Sequence, residues 1–180
     1  MRKKIFWITE TAAMLALLIA LQWVTKPAGQ LVTGTCVNCI LAVSVLIGGM
    51  GNGVTVALLS PVIAYGLGIA PNLATVPAIM VGNTIYVVLL YVLVGKRSGL
   101  PRKLLGWLLA SVAKFIVLYG IVKWLICGVL AESLLAAGTL KPPMLSALPA
   151  TFSWPQLFTA LIGGGAALLI VPVLRKALHK

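Results

Sequence analysis

Apolar residues run along this chain in long blocks, separated by short clusters rich in Gly, Pro and basic side chains. A membrane-crossing helix needs about 20 mostly apolar residues. Blocks that reach or approach that length fall at about 5–24, 33–48, 54–67, 74–94, 104–130 and 155–174. The pattern predicts an all-α integral membrane bundle of six transmembrane helices, forming a single domain over 1–180. Lys26, Pro27 and Gly29 mark the first turn. Gly48, Gly49, Gly51 and Gly53 predict a tight hairpin before the third block. Pro61, in the middle of that block, removes a backbone donor and predicts a kink. The longest connection, 131–154, is broken by Gly138, Pro142, Pro143 and Pro149. It nevertheless carries Leu134, Leu135, Met144, Leu145 and Leu148, too apolar for a free linker, and is expected to pack down as a lid. In the last block, Gly163, Gly164 and Gly165 predict close approach of a neighbouring helix.

Composition and charge fix the solvent and the topology. At 61% hydrophobic, 9% charged and a mean hydropathy of +1.12, the chain is far more apolar than a soluble domain. The net charge of +12 does not point to nucleic acid, because most of the 14 Lys and Arg collect in three clusters. These are Arg2, Lys3 and Lys4; then Lys96, Arg97, Arg102 and Lys103; then Arg175, Lys176 and Lys180. Loop Lys and Arg accumulate on the cytoplasmic side of a membrane, and here an even number of spans separates the clusters. Both termini are therefore expected to be cytoplasmic, as in a multi-pass protein of the cell membrane. The basic start and the apolar run after it resemble a signal peptide. Trp23, Val24, Thr25, Lys26 and Pro27 do not resemble a processing site, so the first helix is expected to be retained.

Chemistry-bearing side chains are few. Asn38 and Asn83 are amides in apolar helices and are expected to face the bundle interior, bonding one another, a helix backbone or a ligand. Lys114 falls about 15 Å along the fifth span from Leu104, close to mid-membrane. Lys123, about half a turn away in phase, can reach outward to the interface. With only Glu10 and Glu132 as acids, neither lysine has an obvious countercharge. The role of Lys114 stays open between water, a partner surface and a substrate. Cys36 and Cys39 form a Cys-x-x-Cys pair, a spacing used by thiol oxidoreductases and metal sites; with Cys127 and His179 alone to add, apolar filler is the simpler reading. The glycines at 48–53 lack the Lys-Ser or Lys-Thr of a phosphate loop. There is no Asp, no Gly-x-Ser-x-Gly elbow and no pair of carboxylates. The chain is not expected to be an enzyme, and no cofactor or metal is expected. Ala12, Ala16 and Ala20 lay a smooth stripe along the first helix, the spacing at which two membrane helices approach closely.

Taken together, these residues resemble the substrate-binding S components of energy-coupling factor (ECF) transporters, six-helix proteins that capture vitamins and related micronutrients outside prokaryotic cells. The resemblance covers nearly the whole length: the size, the internal termini, the alanine stripe, Val32, Thr33 and Gly34 leading to Asn38, Ser60 with Pro61, and Gly82 with Asn83. It implies that Ala12, Ala16 and Ala20 pack against a transmembrane coupling subunit, and that two cytosolic ATPase subunits hydrolyse the ATP. It also implies a substrate site in the outer half of the bundle, with Asn83, Lys123 and Trp154 near the pocket, Asn38 at its edge, and Tyr86, Tyr119 and Trp154 as walls. The scarcity of acids and Lys123 of the fifth span lean towards an anionic ligand such as pantothenate or a folate, whose opposite charge offsets the cost of desolvating that lysine. Riboflavin, thiamin-like, cobalamin-like and amino-acid ligands stay open, as do oligomeric state and whether the energising module is dedicated or shared. The rival readings are a membrane thiol oxidoreductase using Cys36 and Cys39, and a membrane scaffold acting through the alanine face.

Overall fold

A computed structural model describes residues 2–69, 72–95 and 99–178. Lys96, Arg97 and Lys180 of the basic clusters, and His179, lie outside the described residues. Among the described residues the chain is all helix, with no strand. Its long helices are α1 (Arg2–Thr25), α2 (Gln30–Gly48), α3 (Met50–Gly66), α4 (Val76–Leu93) and α5 (Leu100–Gly120). Two short helices, α6 (Ala131–Ala136) and α7 (Met144–Thr151), precede the long α8 (Trp154–Ala177). Beyond Gly120, α5 runs on as a π-helix over Ile121–Val129.

Among the described residues, five helical stretches are long and apolar enough to cross a membrane: Lys4–Ala28, Gln30–Gly48, Leu73–Leu93, Leu100–Val129 and Met144–Ala177. The sixth expected span, Met50–Gly66, is apolar but shorter, at 17 residues. At about 1.5 Å per residue it covers roughly 26 Å, against a hydrocarbon core of about 30 Å.

Turn chemistry accounts for the boundaries. Gly49 has φ 87°, a conformation that side chains with a Cβ rarely adopt, and it alone separates α2 from α3. The expected hairpin over 48–53 thus narrows to one residue, and the third helix starts at Met50 rather than 54. Gly51 and Gly53 are helical instead; a Cβ on Gly53 would fall 2.5 Å from Val45 Cβ, so the glycine lets α3 pack tightly back onto α2. Helix α3 continues through Pro61. Asn72 caps the turn before α4, its Oδ1 accepting from Ala74 N at 2.8 Å. Its Nδ2 donates to Thr139 O at 2.6 Å, fastening the α3–α4 connection to the segment after α6.

The core is built around α2, which is buried continuously from Ile40 to Ile47. Helix α8 makes its most extensive contact with α2, and glycine permits it: a Cβ on Gly163 would lie 2.5 Å from Thr35 O and 2.8 Å from Cys39 N. On the other side of the triplet, a Cβ on Gly164 would meet Tyr86 Oη and Trp107. Into that space Tyr86 Oη donates to Ala160 O at 3.2 Å, and Trp107 Nε1 to Leu161 O at 3.1 Å. A second apolar cluster buries Leu118, Val122, Ile126, Leu140, Leu148 and Phe152, with Leu134, Leu135, Met144 and Leu145 against it. The long connection therefore does pack down over one end of the bundle.

The opposite end gathers the start of α1 with the α2–α3 link and the end of α8. A Cβ on Gly51 would lie 3.5 Å from Trp7 Nε1, and Arg175 Nη2 donates to Leu46 O at 2.6 Å. Both chain ends thus approach the same end of the molecule.

Candidate functional site

Three helices bring polar side chains together inside the end of the bundle that is capped by the long connection. Lys114 on α5 is 2% exposed. Its Nζ donates to Asn38 Oδ1 on α2 at 2.5 Å and to Asn83 Oδ1 on α4 at 2.7 Å. The lysine also stands over the face of Tyr86, 5.3 Å from the ring centroid. Lysine offers only donors, so both amides must turn their oxygens towards it. Asn38 then spends its Nδ2 on Gly34 O at 2.9 Å and Thr159 Oγ1 at 3.2 Å. Asn83 Nδ2 has no hydrogen-bond partner among the described residues.

Local sequence explains the convergence. On α5 the buried positions Gly106, Ala110, Lys114 and Leu118 recur every four residues, a spacing that keeps one helix face turned inward. Gly106 lets that face reach α4, since a Cβ there would lie 2.7 Å from Leu93 Cβ. A Cβ on Gly34 would fall 2.8 Å from Thr159 Cγ2, so this glycine brings α8 close enough for Thr159 to meet Asn38.

Beside this cluster lies a cavity of about 170 Å³. Asn38, Asn83 and Lys114 line its floor with Val37 and Ile79, and Gln22, Gln30, Thr33, Phe152 and Gln156 line its walls. Gln156 is 6% exposed, and its side-chain amide has no partner among the described residues. Gln22 Oε1 is likewise buried without a partner. At the rim, Lys26 Nζ donates to Gly68 O at 2.7 Å. No carboxylate lines the cavity.

A larger cavity, about 460 Å³, opens at the other end of the bundle between α2, α4 and Arg175. There Arg175 Nη2 donates to Leu46 O while its Nε is buried without a partner, and most of the other lining is apolar or glycine. The smaller cavity is the better candidate, because convergent polar groups in an apolar setting, rather than volume, mark a ligand site.

Of the residues expected at a substrate site, the structure unites Asn38, Asn83 and Tyr86, with Tyr86 behind Lys114 rather than on the cavity wall. Tyr119, Lys123 and Trp154 form a separate group on the side of the bundle. Lys123 is exposed and stands 5.4 Å from the Tyr119 ring centroid. Phe115 stacks on Tyr119 and on Trp154, with centroids 5.8 and 5.6 Å apart. Trp154 is 63% exposed. The structure adds Lys114, Gln156 and Gln22, which sequence reasoning did not place at the site.

Ala12, Ala16 and Ala20 are all exposed along α1. Cys36 and Cys39 are free thiols on α2, half-buried, and Cys127 is also free. Among the described residues no group of three or more His, Cys, Asp or Glu could hold a metal ion. No family model, curated protein or solved structure matches the chain.

Proposed function

We propose that this protein is the substrate-binding subunit of an ECF-type transporter, capturing a vitamin or related micronutrient at the outer face of a prokaryotic cell membrane. The observation that carries this reading is the cavity over Asn38, Asn83 and Lys114. Burying a lysine and unpaired amides in a membrane bundle is costly, and a polar ligand that completes their hydrogen bonds offsets that cost.

In this reading Met50–Gly66 crosses the membrane as a short sixth span. The two chain ends share the cytoplasmic side, and the cavity opens outward beside the end of α7. The absence of paired carboxylates or an activated nucleophile along the sequence favours a subunit that binds and leaves ATP hydrolysis to partners. The exposed face of Ala12, Ala16 and Ala20 supports a docking flank for a transmembrane coupling subunit, which two cytosolic ATPases drive.

The test is mass spectrometry of the purified full chain, together with co-purification of membrane and ATPase partners from its native host. A retained small metabolite and a bound coupling complex are the expected results. A chain that holds no metabolite and recruits no ATPase overturns the reading.

A further inference from the structure

The cavity is asymmetric in its hydrogen-bonding chemistry. An ammonium carries three donors, and Lys114 commits two of them to Asn38 Oδ1 and Asn83 Oδ1. Both asparagine oxygens are therefore turned away from any ligand, and Asn83 presents its unpartnered Nδ2 instead. Asn38 has spent its own NH₂ on Gly34 and Thr159. The floor offers donors, joined by a positive charge whenever Lys114 is protonated, while its acceptors are consumed. A buried charge with only neutral partners is costly, and an opposite charge at hydrogen-bond distance offsets much of that cost. No carboxylate lines the cavity to supply it.

Size narrows the class. About 170 Å³ is little more than the roughly 150 Å³ of a cavity that admits benzene. It is well below the roughly 300–1,000 Å³ of sites for drug-sized ligands. A single ring or a short chain fills that volume.

We infer that the cavity takes a compact organic anion, such as a small carboxylate, whose charged group pairs with Lys114 and accepts from Asn83 Nδ2. Gln156, with its amide unpartnered in the cavity lining, binds a further polar group of the same ligand. This inference rests on the ligand-binding reading above and specifies the chemistry of its ligand. Lys114, rather than the exposed Lys123, is the cation that selects it. The same anionic chemistry could come from a lipid headgroup, so the experiment separates the two sources.

The full chain is placed in phosphatidylcholine nanodiscs. The probe is the small-molecule filtrate of yeast extract, split by ion exchange into anionic, neutral and cationic pools. The thermal unfolding midpoint is read for wild type, Lys114→Met and Asn83→Asp. Asn83→Asp is nearly isosteric and supplies Lys114 with an internal countercharge, so it decides the question even where Lys114→Met folds poorly. The expected result is a raised midpoint for wild type with the anionic pool, and loss of that shift in both variants. A shift with only the neutral or cationic pool overturns the inference while leaving a binding subunit standing. An equal anionic shift in all three proteins places the anion elsewhere and also overturns it. A shift caused by phosphatidylglycerol discs without extract, and lost in Lys114→Met, assigns the site to lipid and overturns it. No shift with any pool overturns this inference and the binding reading together.

Discussion

Lys114 Nζ lies 2.5 Å from Asn38 Oδ1, joining α5 to α2 across 76 positions of sequence. With Asn83 as the second acceptor at 2.7 Å, this contact makes one polar node out of three helices. The node serves two ends: it satisfies a lysine deep in an apolar bundle, and it fixes which atoms face the cavity.

Replacing Asn83 by Leu removes an acceptor from Lys114 and the free donor from the floor. Leaving one buried polar group unpaired costs about 1–3 kcal/mol. Ligand affinity is expected to fall by roughly 5- to 150-fold, the equivalent of that range, in a titration of the metabolite recovered from the protein. Unchanged affinity would reduce Asn83 to a purely structural role.

The glycine triplet gives a sharper test of packing. At Gly163 an added Cβ would meet backbone atoms, Thr35 O at 2.5 Å and Cys39 N at 2.8 Å. Backbone cannot swing aside as a side chain can, so Gly163→Ala is expected to separate α2 from α8 and destabilise the bundle by about 1–3 kcal/mol. A Cβ on Gly66 would meet nothing within 4 Å, and Gly66→Ala is expected to be neutral or slightly stabilising. Thermal unfolding in detergent compares the two; similar midpoints would contradict the close α2–α8 approach.

Ala12 and Ala16 are exposed on α1, about 15 and 9 Å along the helix from the cavity residue Gln22. Substitution of both by Trp is expected to leave metabolite retention in detergent intact while abolishing ATP-driven uptake in cells. Parallel loss of both activities would show that the flank and the cavity are not separate surfaces.

Lys123 and Trp154 lie on the side of the bundle, outside the cavity lining. Lys123→Gln is expected to leave affinity for the recovered metabolite unchanged, where Lys114→Met lowers it. The opposite ranking in the same titration would return the binding role to the outer lysine.

Much of the architecture was legible in the sequence because apolar runs and Gly or Pro punctuation act locally. Asn38 and Asn83 were legible as interior residues, since amides facing lipid are costly. Choosing between Lys114 and Lys123 required the rotation of α5 against its neighbours, which no single helix specifies by itself. A signal is nevertheless present: Gly106, Ala110 and Lys114 share the four-residue spacing of Ala12, Ala16 and Ala20. Small residues in line with a lysine mark the face that neighbouring helices press against. Gln22 and Gln156 were missed because each lies near a helix end, where a polar residue is ordinarily read as solvated. The start of α3 is not legible in the sequence because Gly51 and Gly53 have the composition of a turn, whereas Gly49 alone makes it.

The link between Lys26 and Gly68 O is exposed, and a hydrogen bond of that kind contributes only about 0.5–1.5 kcal/mol. Parting it lies within reach of ordinary thermal motion, whereas the node around Lys114 holds three helices in place. The Lys26 side of the cavity is accordingly held by a weaker tie than the Lys114 side, where three helices are joined by buried hydrogen bonds.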